Sequence, residues 1–339
     1  MRRFEGDRGR VEVIQHRSDL LEGNPLGDPA TREVAVYLPS GYEEAGSTRY
    51  RVLFSLAGYT GSGLGHLSWK PFTENLPERL DRLIGKGTMD PVIVVLPDCF
   101  TSLGGNQYID SSAIGPWARY LVEELVPMVD ERFRTTGSRN GRGVFGKSSG
   151  GYGALMHGIL HPGTWGAVAC HSGDMYFQYG YLPDFPRALD QLRRHGLSVE
   201  RFLEHFRAKQ KHNGSEIHTL MTVAMAATYD PDPETPLGFH LPFDLETGEV
   251  DQERWKRWLR HDPVELVEER AEALKSLRLL YIDCGSRDQY NLHHGARILA
   301  RKLKREDIPH HYEEFDDDHS SVDFRLDVSL PKLVEALEP

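Results

Sequence analysis

The residues most able to do chemistry lie in one stretch, where Val144-Phe145 runs through Gly146-Lys147-Ser148-Ser149-Gly150-Gly151-Tyr152-Gly153 into Ala154-Leu155. An apolar strand end, a run of small residues and an apolar helix fit the Gly-x-Ser-x-Gly turn that lifts a nucleophilic serine clear of a sheet. Glycines are needed at 146 and 150 because so sharp a turn leaves no space for side chains, while Ser148 is held in a strained conformation. Its hydroxyl would sit at a helix N-terminus, which favours developing negative charge. A second pattern overlaps the first. Gly141–Ser148 also reads Gly-x-x-x-x-Gly-Lys-Ser, a phosphate cradle, and Asp283 behind Leu279–Ile282 could hold magnesium. That alternative, a P-loop nucleotide-binding enzyme, needs its strand to finish before Gly141. The preceding Arg134–Asn140 is polar and turn-like, so the strand must be Val144-Phe145, inside the supposed loop.

A serine nucleophile needs a base and an acid to orient it, here in the chain order serine, acid, histidine. Asp288 follows the apolar run Leu279–Ile282 in the loop Gly285-Ser286-Arg287-Asp288 and is the candidate acid. Asp283, at the strand end itself, is the runner-up and better suited to holding the turn. With 16 histidines in the chain the base must be chosen by position. His319 follows the last strand-like run, His311–Phe315, and is the candidate; His293 and His294 fall at a helix start, and His310 and His311 head a strand. Backbone N–H donors for an oxyanion are expected from Ser149 and from Tyr59, in the glycine-rich loop Leu56–Gly63. The same glycines would also serve a plain turn. Trp69, just behind that loop, is a candidate lining residue for the acyl pocket, although a tryptophan packed at a helix start is the favoured reading.

The elements that must position these groups alternate between strands and helices. Strand-like runs are Val11–His16, Glu33–Leu38, Arg51–Leu56, Val92–Leu96, Val144-Phe145, Trp165–Cys170, Leu277–Ile282 and His311–Phe315. Helical spacing marks Phe72–Ile84, Trp117–Phe133, Ala296–Lys304 and Leu330–Leu337. This predicts an α/β protein with one domain over residues 1–339. The stretch 176–270 breaks the rhythm, with helical runs at Val199–Lys209 and Gln252–Arg260 and a loop at Asp230-Pro231-Asp232-Pro233. It is expected to be a cap-like insertion over one end of the sheet.

Composition narrows the function classes. The 339 residues carry 40 Lys and Arg against 51 Asp and Glu, a formal charge of −11, which disfavours a nucleic-acid partner. A hydrophobic fraction of 39% supplies a sizeable core. No apolar run is long enough to span a membrane, and the basic Met1-Arg2-Arg3 has no apolar stretch behind it, so no signal peptide is expected. The widely spaced Cys99, Cys170 and Cys284 suit buried free thiols, and the expected location is cytoplasmic. Self-association into a homo-oligomer is left open.

Several segments together resemble the esterase family of α/β-hydrolases that includes esterase D (S-formylglutathione hydrolase), feruloyl, acetyl-xylan and siderophore esterases, and mycolyltransferases. They are Glu33–Tyr42, the Gly58 loop, Leu96-Pro97-Asp98, Gly146–Ala154, Gly285–Asp288 and His319. The resemblance implies an α/β-hydrolase fold, with a mostly parallel central sheet flanked by helices, and a serine esterase working on a small-molecule ester without metal or organic cofactor. It matches Ser148, Asp288 and His319 to the family triad and Tyr59 and Ser149 to its oxyanion donors. An acyltransferase or thioesterase of the same fold, or a catalytically silent binding protein, is the alternative. Where esterase D proteins carry His-Gly-Leu-Thr-Cys, this chain has Ala57-Gly58-Tyr59-Thr60-Gly61, which points away from a glutathione thioester.

Overall fold

The computed structural model describes residues 5–339, so Met1-Arg2-Arg3 and the first residues of the expected domain lie outside the described residues. Eight strands form the central sheet: β1 (Arg10–Arg17), β2 (Thr31–Leu38), β3 (Val52–Leu56), β4 (Ile93–Pro97), β5 (Arg142–Lys147), β6 (Ala167–His171), β7 (Leu279–Gly285) and β8 (His311–Phe315). They lie in the order β1-β2-β4-β3-β5-β6-β7-β8. The β1–β2 and β2–β4 pairs are antiparallel, and every pair from β4 to β8 is parallel.

Strand alternation divides the core between the two faces of the sheet. Val34, Val36, Phe54, Val95 and Val144 point to one side, where helical residues 117–132, α2 (Ser149–Leu160) and α4 (Leu292–Arg305) pack. Ala35, Tyr37, Leu53, Val94 and Phe145 point to the other, against α1 (Leu76–Gly85) and α5 (Leu326–Ala336). Strands covered on both faces read as continuous apolar runs, which is why β3 and β4 were legible.

The expected helix over Phe72–Ile84 begins only at Leu76. Asn75 and Glu78 form a reciprocal cap there, with Pro77 in the first turn, so the chain before Asn75 is held outside the helix. The expected Ala296–Lys304 helix begins at Leu292 instead, which places His293 and His294 within its first turn. The middle of the 117–132 helix, Tyr120–Leu125, has π-helical hydrogen bonding.

The segment 176–270 contains the helices Phe185–Arg193, Val199–Ala208, α3 (Gly214–Tyr229) and Gln252–Leu259. Sequence periodicity did not mark α3. Its residues Val223 to Ala227 are all buried, and a helix apolar on every side shows no amphipathic stripe. Phe185, Trp255 and Trp258 pack edge-on to one another or tilted, and these residues join the same buried cluster as the sheet's Val34 face. All three cysteines are buried free thiols. Among the described residues no helix is long and apolar enough to cross a membrane.

Candidate active site

Strand β5 runs through Lys147, and α2 starts at Ser149, leaving Ser148 alone to turn the chain with φ 57° and ψ −127°. A serine in this region costs about 1–3 kcal/mol and persists only where its surroundings fix it. They do so here through the backbone. Ser148 N–H donates to His171 C=O at 3.0 Å, and Tyr152 N–H donates to Ser148 C=O at 2.8 Å. The glycines at 146 and 150 are required by close approach: a Cβ on Gly150 would lie 2.0 Å from Leu56 O, and one on Gly146 would lie 2.4 Å from the Gly150 carbonyl. The Gly-x-x-x-x-Gly-Lys-Ser overlap is thereby settled. Arg142 to Lys147 are strand residues and Gly141 closes a preceding 3-10 turn, so no loop exists there to cradle a phosphate.

Asp288 and His319 come from the loops after β7 and β8, which leave the sheet at the same edge as the elbow. His319 Nδ1 and Asp288 Oδ2 are 2.7 Å apart, and both residues are buried. The carboxylate accepts, so Nδ1 carries the proton and Nε2 is left with its lone pair. Asp288 Oδ1 accepts from Tyr290 N–H at 2.9 Å, and the Tyr290 ring stands edge-on to the imidazole at 4.8 Å. Gln289 Oε1 accepts from His319 N–H at 2.9 Å, fixing the backbone of the histidine as well.

Asp283 is used elsewhere. Its Oδ1 lies 2.7 Å from His171 Nδ1, and its Oδ2 accepts from Arg325 Nε at 2.9 Å and from Tyr281 OH at 3.0 Å. Burial pushes this carboxyl up, but His171 and Arg325 outweigh it and hold it below the usual range. His171 Nε2 lies 2.9 Å from Ser329 Oγ in α5. This network anchors the residue whose carbonyl holds the Ser148 N–H.

The Gly58 loop lies directly against the elbow: a Cβ on Gly58 would be 3.5 Å from Ser148 Cβ. Tyr59 is pinned by its hydroxyl, which donates to Leu103 C=O at 2.8 Å, and burial pushes that hydroxyl's pKa well up. Neighbouring amides are engaged, Thr60 N–H with Gly104 C=O and Gly61 N–H with Gly58 C=O. Tyr59 N–H donates to no group among the described residues. Ser149 N–H, in the first turn of α2, likewise has no intrahelical acceptor.

Ser148, His319, Tyr59 and Ser149 line one cavity of about 510 Å³, a size that suits a small organic ligand. Trp69 is not on its wall. That side chain is 65% exposed, and its neighbours His66 and Lys70 face the cavity instead. The short 3-10 helix Gly63–Leu67 ends at Ser68, whose extended backbone carries the chain outward. Burial lowers the His66 imidazole to about 4 and also lowers the Lys147 ammonium.

Among the contributors to the wall that the sequence reading missed, two stand out. One is Asp174, just past the end of β6, whose signal was an acid at the carboxyl edge of the sheet. The other is α3, which supplies Ile217, His218 and Met221. Its start was readable from Asn213 and Glu216, which form a reciprocal cap.

Strand order, crossover pattern and strained elbow define an α/β-hydrolase. The family model described as "Putative esterase" matches residues 29–332, and the chain belongs to that family. Among curated relatives it is 34% identical over 146 residues to "Esterase Rv1288" of Mycobacterium tuberculosis, covering 41% of this chain. The chain spans only 28% of the length of that relative. Among solved structures, a ferulic acid esterase superposes with a TM-score of 0.63 at 18% identity, over 98% of this chain and 100% of the other. An S-formylglutathione hydrolase from Agrobacterium tumefaciens gives 0.59 at 18% identity, over 100% and 99%. These likenesses establish the fold.

Proposed function

We propose that the protein is a serine hydrolase of carboxylic esters with Ser148, His319 and Asp288 as its triad. The observation that carries this is the 2.7 Å His319–Asp288 pair, with imidazole and elbow serine on the wall of one cavity. His319 Nε2 takes the proton from Ser148 Oγ as Oγ bonds to the ester carbonyl carbon. Tyr59 and Ser149 N–H donate to the carbonyl oxygen as it becomes an oxyanion. His319 then gives its proton to the departing alcohol oxygen, leaving Ser148 acylated. Water then bonds to the acyl carbon as it gives a proton to Nε2, and the acid leaves as the Ser148 Oγ–acyl bond breaks and Oγ takes that proton back. Asp288 keeps the imidazole in the Nδ1–H tautomer and stabilises its cation. These steps need no metal or organic cofactor. A thiol leaving group or an alcohol acceptor would use the same groups, so thioesterase and acyltransferase activities are the second reading.

The test is Ser148→Ala. Hydrolysis of p-nitrophenyl acetate should fall by at least about a thousandfold, and labelling by a fluorophosphonate should disappear. Labelling that persists in the variant overturns the assignment.

A further inference from the structure

Asp174 is a carboxylate that this mechanism does not use, yet it borders the cavity beside the oxyanion residue Ser149. Three donors from separate segments converge on one of its oxygens. Oδ2 accepts from Gln107 Nε2 at 2.8 Å, Tyr181 OH at 3.0 Å and Ser149 Oγ at 3.3 Å. Oδ1 accepts from no described residue. Among the described residues the buried side-chain atoms without a partner include Gln107 Oε1 but not Asp174 Oδ1, and Asp174 itself borders the cavity. The residue as a whole is 9% exposed, so its opening there is narrow.

The surroundings of this oxygen restrict what can serve it. Met175, Phe177, Ile217, Met221 and Leu292 line the same cavity and offer no donor. His218, Tyr290 and His319 are polar members of the same lining; His218 Nδ1 is engaged with Asp184 at 3.3 Å and His319 Nδ1 with Asp288 at 2.7 Å. A fixed acceptor beside these apolar side chains rewards a ligand that brings a donor and penalises one that displaces its water without bringing one. Held by three donors, the carboxylate cannot turn away. Resting on the serine-esterase reading above, we propose that Asp174 is a specificity-determining residue whose Oδ1 accepts a hydrogen bond from a hydroxyl on an otherwise apolar part of the ester substrate. Burial pushes the carboxyl's pKa up, against the pull of Gln107 and Tyr181. The ionised carboxylate accepts from a hydroxyl and has nothing to offer a methoxy oxygen, and this is the source of the discrimination tested below.

The hydroxyl can belong to the acyl or to the alcohol part, and two substrate series separate these cases. One is methyl hydrocinnamate with its para-hydroxy and para-methoxy derivatives; the other is phenethyl acetate with the same two derivatives. In one series the wild type should show a kcat/KM for the hydroxy compound at least about tenfold above both others. Asp174→Asn can still accept from the three donors but presents an N–H to the cavity, so the hydroxy-to-methoxy ratio should fall about tenfold. A purely structural tie between segments would change all rates together and leave that ratio alone. Equal ratios in wild type and variant overturn the proposal, as does a wild type with no hydroxy preference in either series. Where the variant takes up no fluorophosphonate and so lacks a folded site, the wild-type ratios decide. A wild type that hydrolyses no ester and takes up no label overturns the esterase reading instead, whereas labelled enzyme blind to the hydroxyl overturns only the role of Asp174.

Discussion

Asp288 works by geometry and charge at once: it accepts the Nδ1 proton of His319 and is itself fixed by Tyr290 N–H. Asp288→Asn preserves the shape but lets the amide donate to Nδ1, which then leaves the proton on Nε2, the wrong nitrogen for a base. We expect kcat on p-nitrophenyl acetate to fall by about 10⁴ with KM little changed; a drop below tenfold would show that the acid is not needed. The contrast with Asp283 is instructive. Both acids follow the same apolar run, but Asp283 lies within β7 and faces His171 and Arg325, while Asp288 lies beyond it in the loop. Their positions relative to the strand end were readable in the sequence. That Asp283 would meet His171 and Arg325, with Ser329 behind the histidine, was not, because these residues arrive from β6, the 3-10 turn Val322–Arg325 and the C-terminal helix.

The strand-turn-helix unit of β5 and α2 is held by contacts that tolerate no added atom. Gly150→Ala would drive a methyl into the Leu56 and Ala57 carbonyls, backbone groups of β3 and the loop after it. We expect a loss of about 3 kcal/mol or more in urea unfolding, together with slower fluorophosphonate labelling. The same helix carries His157, fully buried, whose Nε2 lies 3.0 Å from Tyr108 O and whose Nδ1 accepts from Trp165 Nε1 at 3.1 Å. Burial lowers this imidazole from its ordinary 6.5 to about 3. The folded state thus favours the neutral ring, so its contribution is fully present above 6.5 and is lost as pH falls toward 3. Between about pH 7 and about pH 5 the wild type should lose about 2 kcal/mol more than His157→Gln, measured by urea unfolding at both pH values. Equal losses would show that another group governs the acid limb.

At the scale of the whole molecule, the segment 176–270 brings α3 across the carboxyl edge of the sheet, where Met221 shares a cavity with Ser148. We propose that this segment sets substrate choice as a cap. Met221→Trp should lower the ratio of kcat/KM for p-nitrophenyl octanoate over acetate by about tenfold, and an unchanged ratio would place the acyl chain elsewhere. Parallel pairing across β3, β5, β6, β7 and β8 makes the loops that carry Tyr59, Ser148, Asp288 and His319 leave the sheet at one edge.

By itself the sequence determined what is set by neighbours along the chain. Glycine sterics around Ser148 fixed the elbow, continuous apolar runs fixed the strands, and chain order pointed to Asp288 and His319. These signals are local, since they arise from backbone geometry and from which residues leave water. Tertiary structure alone decided the contacts between distant segments. It turned Trp69 toward solvent, joined Gln107, Tyr181 and Ser149 on Asp174, and laid α3 over the cavity. Hydrogen bonds of this kind leave no periodicity in the chain, and a helix buried on every side lacks the stripe that would announce it.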